Sequence, residues 1–147
     1  MMGILYTGKS VTSREKNQSK RVVEELAAPF KNSNGNITTD NILTMMPLAK
    51  HLLSWRLTLV ETLKENKSRE KGASKTRAEL SIVFDFHENV TICSDVAKKS
   101  KAVILLSTMH HDKTIEVPKQ KPEILHFYNK TVWHRCYEQN AWNLYDL

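Results

Sequence analysis

Asp40 is the acid with the clearest chemical opportunity. It closes the short β-branched run Asn36-Ile37-Thr38-Thr39-Asp40, and open α/β sheets gather catalytic and metal-binding groups at the carboxyl ends of their strands. On position alone the plainer reading is favoured, in which Asp40 only begins the turn into the next helix. One carboxylate is not a site, because two-metal phosphoryl chemistry needs several acids clamping ions about 3.5–4 Å apart. His110-His111-Asp112 offers ligand-type side chains. Neighbours on an extended chain point to opposite faces, so these are expected to mark the end of an element rather than chelate one ion. Cys93 lies inside a strand pattern with no positive helix end nearby and reads as a small core residue. The sequence shows no Ser-His-Asp arrangement, no Gly-rich phosphate loop and no HExxH motif.

Charge supplies a second opportunity. Lys and Arg number 22 against 16 Asp and Glu, a net +6. The basic residues cluster as Arg14/Lys16/Lys20/Arg21, Lys64/Lys67/Arg69/Lys71/Lys75/Arg77 and Lys98/Lys99/Lys101. Such an excess suits counterion-releasing contacts to DNA phosphates, for which Arg14, Lys16, Lys64, Lys67, Lys98 and Lys99 are the candidates. It equally suits a solvated face, since acids are interspersed and no aromatic interleaving or groove-reading motif accompanies it.

The elements that must position these residues follow from hydrophobic spacing. Val22, Val23, Leu26, Ala27 and Phe30 form one helix face within 14–30, which Pro29 and the polar Lys31-Asn32-Ser33-Asn34-Gly35 terminate. A strand over 36–40 comes next. A second helix follows, capped by Thr44, with Pro47 tolerated in its first turn and Leu48, Ala49, Leu52 and Leu53 as its buried stripe. Leu57 to Leu63 reads as a strand. This alternation predicts an α/β layer structure with parallel pairing. From Lys64 to Arg77 the chain turns polar and basic, as a loop or linker. Val90 to Val96 and Ala102 to Met109 predict a β-hairpin. Val117-Pro118 and Lys121-Pro122 should interrupt regular structure, Ile124 to Tyr128 resumes it briefly, and Val132 to Leu147 shows no clean period.

Composition narrows the class. A chain of 147 residues, 40% hydrophobic and 26% charged, suits one globular domain rather than a disordered tract. Cys93 and Cys136 are too few and too distant for a disulfide framework or a CxxC zinc site. The longest apolar run, Ala102 to Leu106, is far short of a bilayer span, and Met1 to Tyr6 lacks the flanks of a secretory signal, so an intracellular, reducing compartment is expected.

Several colinear blocks are more specific than any of these patterns. Tyr6-Thr7-Gly8-Lys9, Lys20-Arg21-Val22-Val23, Asn36 to Asn41, Met46-Pro47-Leu48-Ala49-Lys50, Leu57 to Thr62, Lys101 to His110, Lys121-Pro122-Glu123-Ile124 and Phe127 to Thr131 resemble the catalytic region of piggyBac-type transposases. The resemblance runs in order from about Gly3 to Thr131. It implies an incomplete RNase H-like α/β fold, a mixed sheet with flanking helices, carrying a β-rich insertion. The expected division is a partial catalytic core over 1–66, an insertion-type segment over 67–127, and a short return to the core with an aberrant tail over 128–147.

The family cuts and joins DNA with three aspartates and divalent metal, Mg²⁺ or Mn²⁺. By this resemblance Asp40 matches the second catalytic aspartate and is a vestigial metal ligand. The family's first aspartate lies upstream of the segment matching Gly3 to Lys9. Its third lies in a Gly-Gly-Val-Asp motif after Tyr-Asn-x-Thr, where this chain has Val132-Trp133-His134-Arg135-Cys136. Trp133 must be coded TGG and His134 begins with C, so a reading shifted by one base restores a Gly at this point; sequencing the DNA tests whether the tail is out of frame. The resemblance therefore implies a transposase remnant that is inactive by itself and holds no metal. The alternative is a repurposed DNA- or protein-binding module. DNA, or a full-length transposase, is the expected partner. No membrane and no small-molecule substrate are expected, and the resemblance implies a nuclear location.

Overall fold

The computed structural model describes residues 18–40, 45–63, 77–98, 101–117 and 120–142. Helix α1 spans Gln18–Ala27 and tightens into a 3₁₀ turn over Ala28–Phe30. Pro29 explains the change, because its ring disfavours helical geometry in the residue before it. Strand β1 is Asn36–Asp40, helix α2 Met45–Ser54 and strand β2 Thr58–Leu63. β1 and β2 pair in parallel, from Asn36 opposite Thr58 to Asp40 opposite Thr62. The expected helix–strand–helix–strand order and the parallel pairing are therefore present. Thr44, the expected cap of α2, lies outside the described residues, as does nearly all of the basic segment 64–77.

Strands β3 (Ser81–His87), β4 (Val90–Lys98) and β5 (Lys101–Ser107) continue the same sheet. Its order is β1-β2-β5-β4-β3, with every pairing after the first antiparallel. β4 and β5 are the expected hairpin. β3 was not expected, although Ile82, Phe84 and Phe86 alternate as a strand requires. Two further corrections concern the C-terminal part. Lys121–Pro122 does not merely interrupt structure but forms β7, antiparallel to β6 (Ile115–Glu116). Pro122 is accommodated because so short a ladder asks little of its missing N–H. Helix α3 then runs unbroken over Glu123–Trp142, well beyond the brief segment expected.

The sheet carries helices on both faces. On one side Val23 and Ala27 of α1 and Leu48, Ala49 and Leu52 of α2 pack on Leu57, Leu59, Leu63, Ile104 and Leu106. On the other, Ile124 and Tyr128 of α3 pack on Val60, Cys93 and Leu105. Leu48, Leu52, Leu57, Leu59, Leu105 and Leu106 are fully buried, each contributing about 1.5–3 kcal/mol of transfer free energy. The end of α2 is fixed by the Leu57 amide reaching back to the Leu52 carbonyl at 3.0 Å, with Arg56 left-handed at φ 54°. That closure normally falls to glycine, and using Arg costs about 1 kcal/mol. It delivers the chain directly into β2.

Candidate functional site

Asp40 stands at the carboxyl end of β1, exposed, at one margin of the sheet as the described residues form it. The register places Thr62 of β2 beside it, and the Thr62 hydroxyl donates to Asp40 Oδ1 at 2.5 Å. That bond orients the carboxylate, yet adds only a neutral oxygen to the site.

The acid nearest in register is Glu61, one residue before Thr62. Strand parity sends it through the opposite face. There its partner across the ladder is Thr39, whose hydroxyl donates to Glu61 Oε2 at 3.3 Å. Glu61 is fully buried beneath the α1/α2 layer, flanked along its strand by Leu59 and Leu63, and its Oε1 has no hydrogen-bond partner. Burial pushes its pKa up to about 7, only partly opposed by the Thr39 hydrogen bond. Asp40 and Glu61 are thus close in the ladder but face opposite sides of the sheet. Among the described residues no three His, Cys, Asp or Glu side chains come together in a metal-binding group. The described residues do not fit a divalent metal site of the DDE kind, and no catalytic step through a metal follows from them.

The other sequence candidates resolve differently. His110 is buried and His111 exposed, so the two do indeed diverge. Ser107 Oγ accepts the Met109 and His110 amides at 3.1 Å each and lies 2.8 Å from His110 Nδ1. With both lone pairs engaged, the hydroxyl must donate its proton to Nδ1, which assigns hydrogen to Nε2. Burial lowers the His110 pKa, in keeping with a neutral ring. The edge-to-face contact of His110 with Phe127, ring centroids 5.4 Å apart, fixes the imidazole against α3. This Ser–His pair resembles a catalytic dyad only in composition. Its hydroxyl is sealed and spent on closing the turn after β5. Cys93 is buried too, and desolvation pushes its thiol up to about 12, as an inert core residue requires.

Of the basic candidates, Lys98 lies at the exposed end of β4, where the ladder sets it opposite Lys101. Two like charges facing each other across a hairpin destabilise it slightly and concentrate positive potential at its tip. Arg14, Lys16, Lys64, Lys67 and Lys99 lie outside the described residues. Arg77 does not serve as a surface cation. Its guanidinium spans Ser81 Oγ (3.2 Å), Ser81 O (2.9 Å), Ser94 Oγ (2.8 Å) and Ser94 O (3.1 Å), clasping β3 to β4. Asp95, 2% exposed on the α3 face of β4, binds Lys121 Nζ at 2.8 Å and ties β7 to the sheet. Sequence reasoning singled out neither Glu61 nor Asp95. The signal that could have found them was an acid embedded in an otherwise apolar strand run.

Comparison with known proteins adds lineage to this geometry. A family model described as Transposase IS4, of the DDE type, matches residues 3–141. The cryo-EM structure of a piggyBac transposase synaptic complex with hairpin DNA matches with a TM-score of 0.73 and 33% sequence identity, covering 86% of this chain and 27% of that one. The chain thus spans about a quarter of the length of that transposase. No curated protein sequence gives a significant match.

Proposed function

Because the chain belongs to the Transposase IS4 family of DDE transposases, as a piggyBac-type member with the RNase H-like α/β fold of a transposase catalytic domain, we propose that it is a catalytic-domain remnant that neither cuts nor joins DNA by itself. DDE transposases work through divalent metal ions, which supply the charge stabilisation for in-line attack on phosphate. The carrying observation is the surroundings of Asp40 among the described residues. Its neighbour is a threonine hydroxyl, the next acid in register lies buried across the sheet, and no ligand group assembles among the described residues. The segment after Thr131 supports the same reading, since Val132 to Cys136 supplies no carboxylate where the family's third acid is expected.

The test is direct. The purified full chain is incubated with end-labelled double-stranded DNA and either Mg²⁺ or Mn²⁺, and products are resolved on a denaturing gel. The expected result is no nicking and no joining above a protein-free control. Cleavage that disappears in Asp40→Ala overturns the proposal.

A second reading, a retained DNA-binding module, is favoured by one specific feature, the Lys98–Lys101 pair at the tip of the β4–β5 hairpin. The matched piggyBac structure was determined with DNA. On this reading binding weakens with salt, and the slope of log K against log salt becomes shallower by about 0.9 for each phosphate that Lys98→Ala or Lys101→Ala leaves unneutralised. A location with DNA, in the nucleus, goes with either reading. No described helix is long and apolar enough to cross a membrane.

A further inference from the structure

The turn that leads into β1 holds a chemically reactive pair. Asn34 is exposed, left-handed at φ 55°, and followed by Gly35. Asparagine is among the few side-chain-bearing residues that accept this conformation readily. Glycine leaves its own backbone nitrogen unshielded by any Cβ. The Gly35 N–H donates at 3.2 Å to the hydroxyl of Ser33, an exposed side chain rather than a carbonyl of a helix or ladder.

We propose that Asn34 is a site of spontaneous deamidation, ageing to aspartate and isoaspartate through a succinimide, and that this modification acts on β1. The Gly35 nitrogen gives its proton to solvent base and attacks Asn34 Cγ. The N–Cγ bond forms, the Cγ–Nδ2 bond breaks, and ammonia leaves carrying a proton from water. A second water opens the ring at either carbonyl, giving aspartate or, with the main chain rerouted through Cβ and Cγ, isoaspartate. No cofactor or redox partner is needed.

The other described asparagines with described side chains are held differently. After Asn32, the Ser33 amide is bonded to Phe30 O at 3.1 Å. Asn36 sits in β1 with its side-chain amide on Thr58 Oγ1 at 3.0 Å. Asn89 precedes Val90, whose branched side chain crowds the attacking nitrogen and which is already paired in β4. Asn129 lies inside α3, where the helix bonds the following amide.

The position gives the modification a consequence. Gly35 O accepts the Thr58 amide at 3.0 Å and the Thr58 hydroxyl at 3.3 Å, directly ahead of the Asn36–Thr58 register pair. An isoaspartate inserts one extra backbone atom at this anchor, and either product adds a negative charge. The displaced strand is the one that carries Asp40 at its far end.

The full-length protein is aged in mildly alkaline buffer, and peptide mass spectrometry with an isoaspartate-methylation assay follows each asparagine. Conversion at Asn34 is expected to run at least about tenfold faster than at Asn89 or Asn129, a barrier difference of about 1.4 kcal/mol. The melting temperature should fall with age in the wild type and stay constant in Asn34→Gly, which suits the left-handed backbone. Gly35→Ala, whose Cβ meets the movable Ser33 Oγ at 3.0 Å and Leu57 Cδ2 at an ordinary contact distance of 3.8 Å, should slow conversion by a similar factor. An Asn34 that ages no faster than Asn89 and Asn129 overturns the site assignment. Fast conversion with an unchanged melting temperature overturns the coupling to β1.

Discussion

Glu61 makes the stability of this fold depend on pH in an unusual direction. Its carboxyl ionises near 4.5 in the unfolded chain and near 7 in the folded one, because burial between Leu59 and Leu63 disfavours the charge. Below about pH 4.5 both states carry the proton and Glu61 adds no pH dependence. Between 4.5 and 7 the unfolded chain releases its proton first, so it binds fewer protons than the native state and stability falls as pH rises. Above 7 both forms are ionised and the loss is complete. At 1.36 kcal/mol per pKa unit the interval corresponds to about 3 kcal/mol, a large share of a domain's usual 5–15 kcal/mol. Glu61→Gln keeps the shape and a hydrogen-bond acceptor for the Thr39 hydroxyl while removing the titration. Urea denaturation across this pH range should show the variant gaining on the wild type as pH rises, by about 3 kcal/mol at the alkaline end. Parallel stability profiles for the two proteins would falsify the reasoning, since they would mean that Glu61 titrates alike in both states.

Other perturbations have similarly local causes. Lys121→Met leaves Asp95, 2% exposed, without its cation, and should cost about 3 kcal/mol in denaturant unfolding. Asp95→Asn should cost less, because Lys121 is a third exposed and recovers water. Ser107→Ala strands the Met109 and His110 amides and the His110 ring nitrogen, and a loss of about 2–3 kcal/mol is expected by thermal or chemical denaturation. A loss below about 0.5 kcal/mol, the ordinary range for surface substitutions, would show that water replaces the hydroxyl at that turn.

How much of this was legible in the sequence depends on range. The stripe of α2 and the β-branched run of β1 are written in residue spacing, and the structure follows them, with Leu48, Ala49 and Leu52 buried and Leu53 half-buried. β3 was legible in the alternation of Ile82, Phe84 and Phe86, but its polar preface and the outward Asp85 and His87 obscured it. The length of α3 was not legible, because the stretch after Val132 has no clean apolar period of its own. Asp40 was found from its place at a strand end. That Glu61, the next acid in register, faces away from it was decided elsewhere, by the parity of β2.

The order of residues determined the transposase lineage, the alternation of helix and strand, and the chemical types on hand. Those follow from local spacing and from colinear blocks, which each segment carries within itself. Tertiary structure alone decided which side chains meet. Pairing β1 with β2 sets Thr62 rather than Glu61 beside Asp40, and closing helices over both faces seals Glu61 and Asp95 from water. The reason is geometric: successive residues on a strand face opposite sides of a sheet, so chemical neighbours are chosen by register and layer, not by adjacency along the chain.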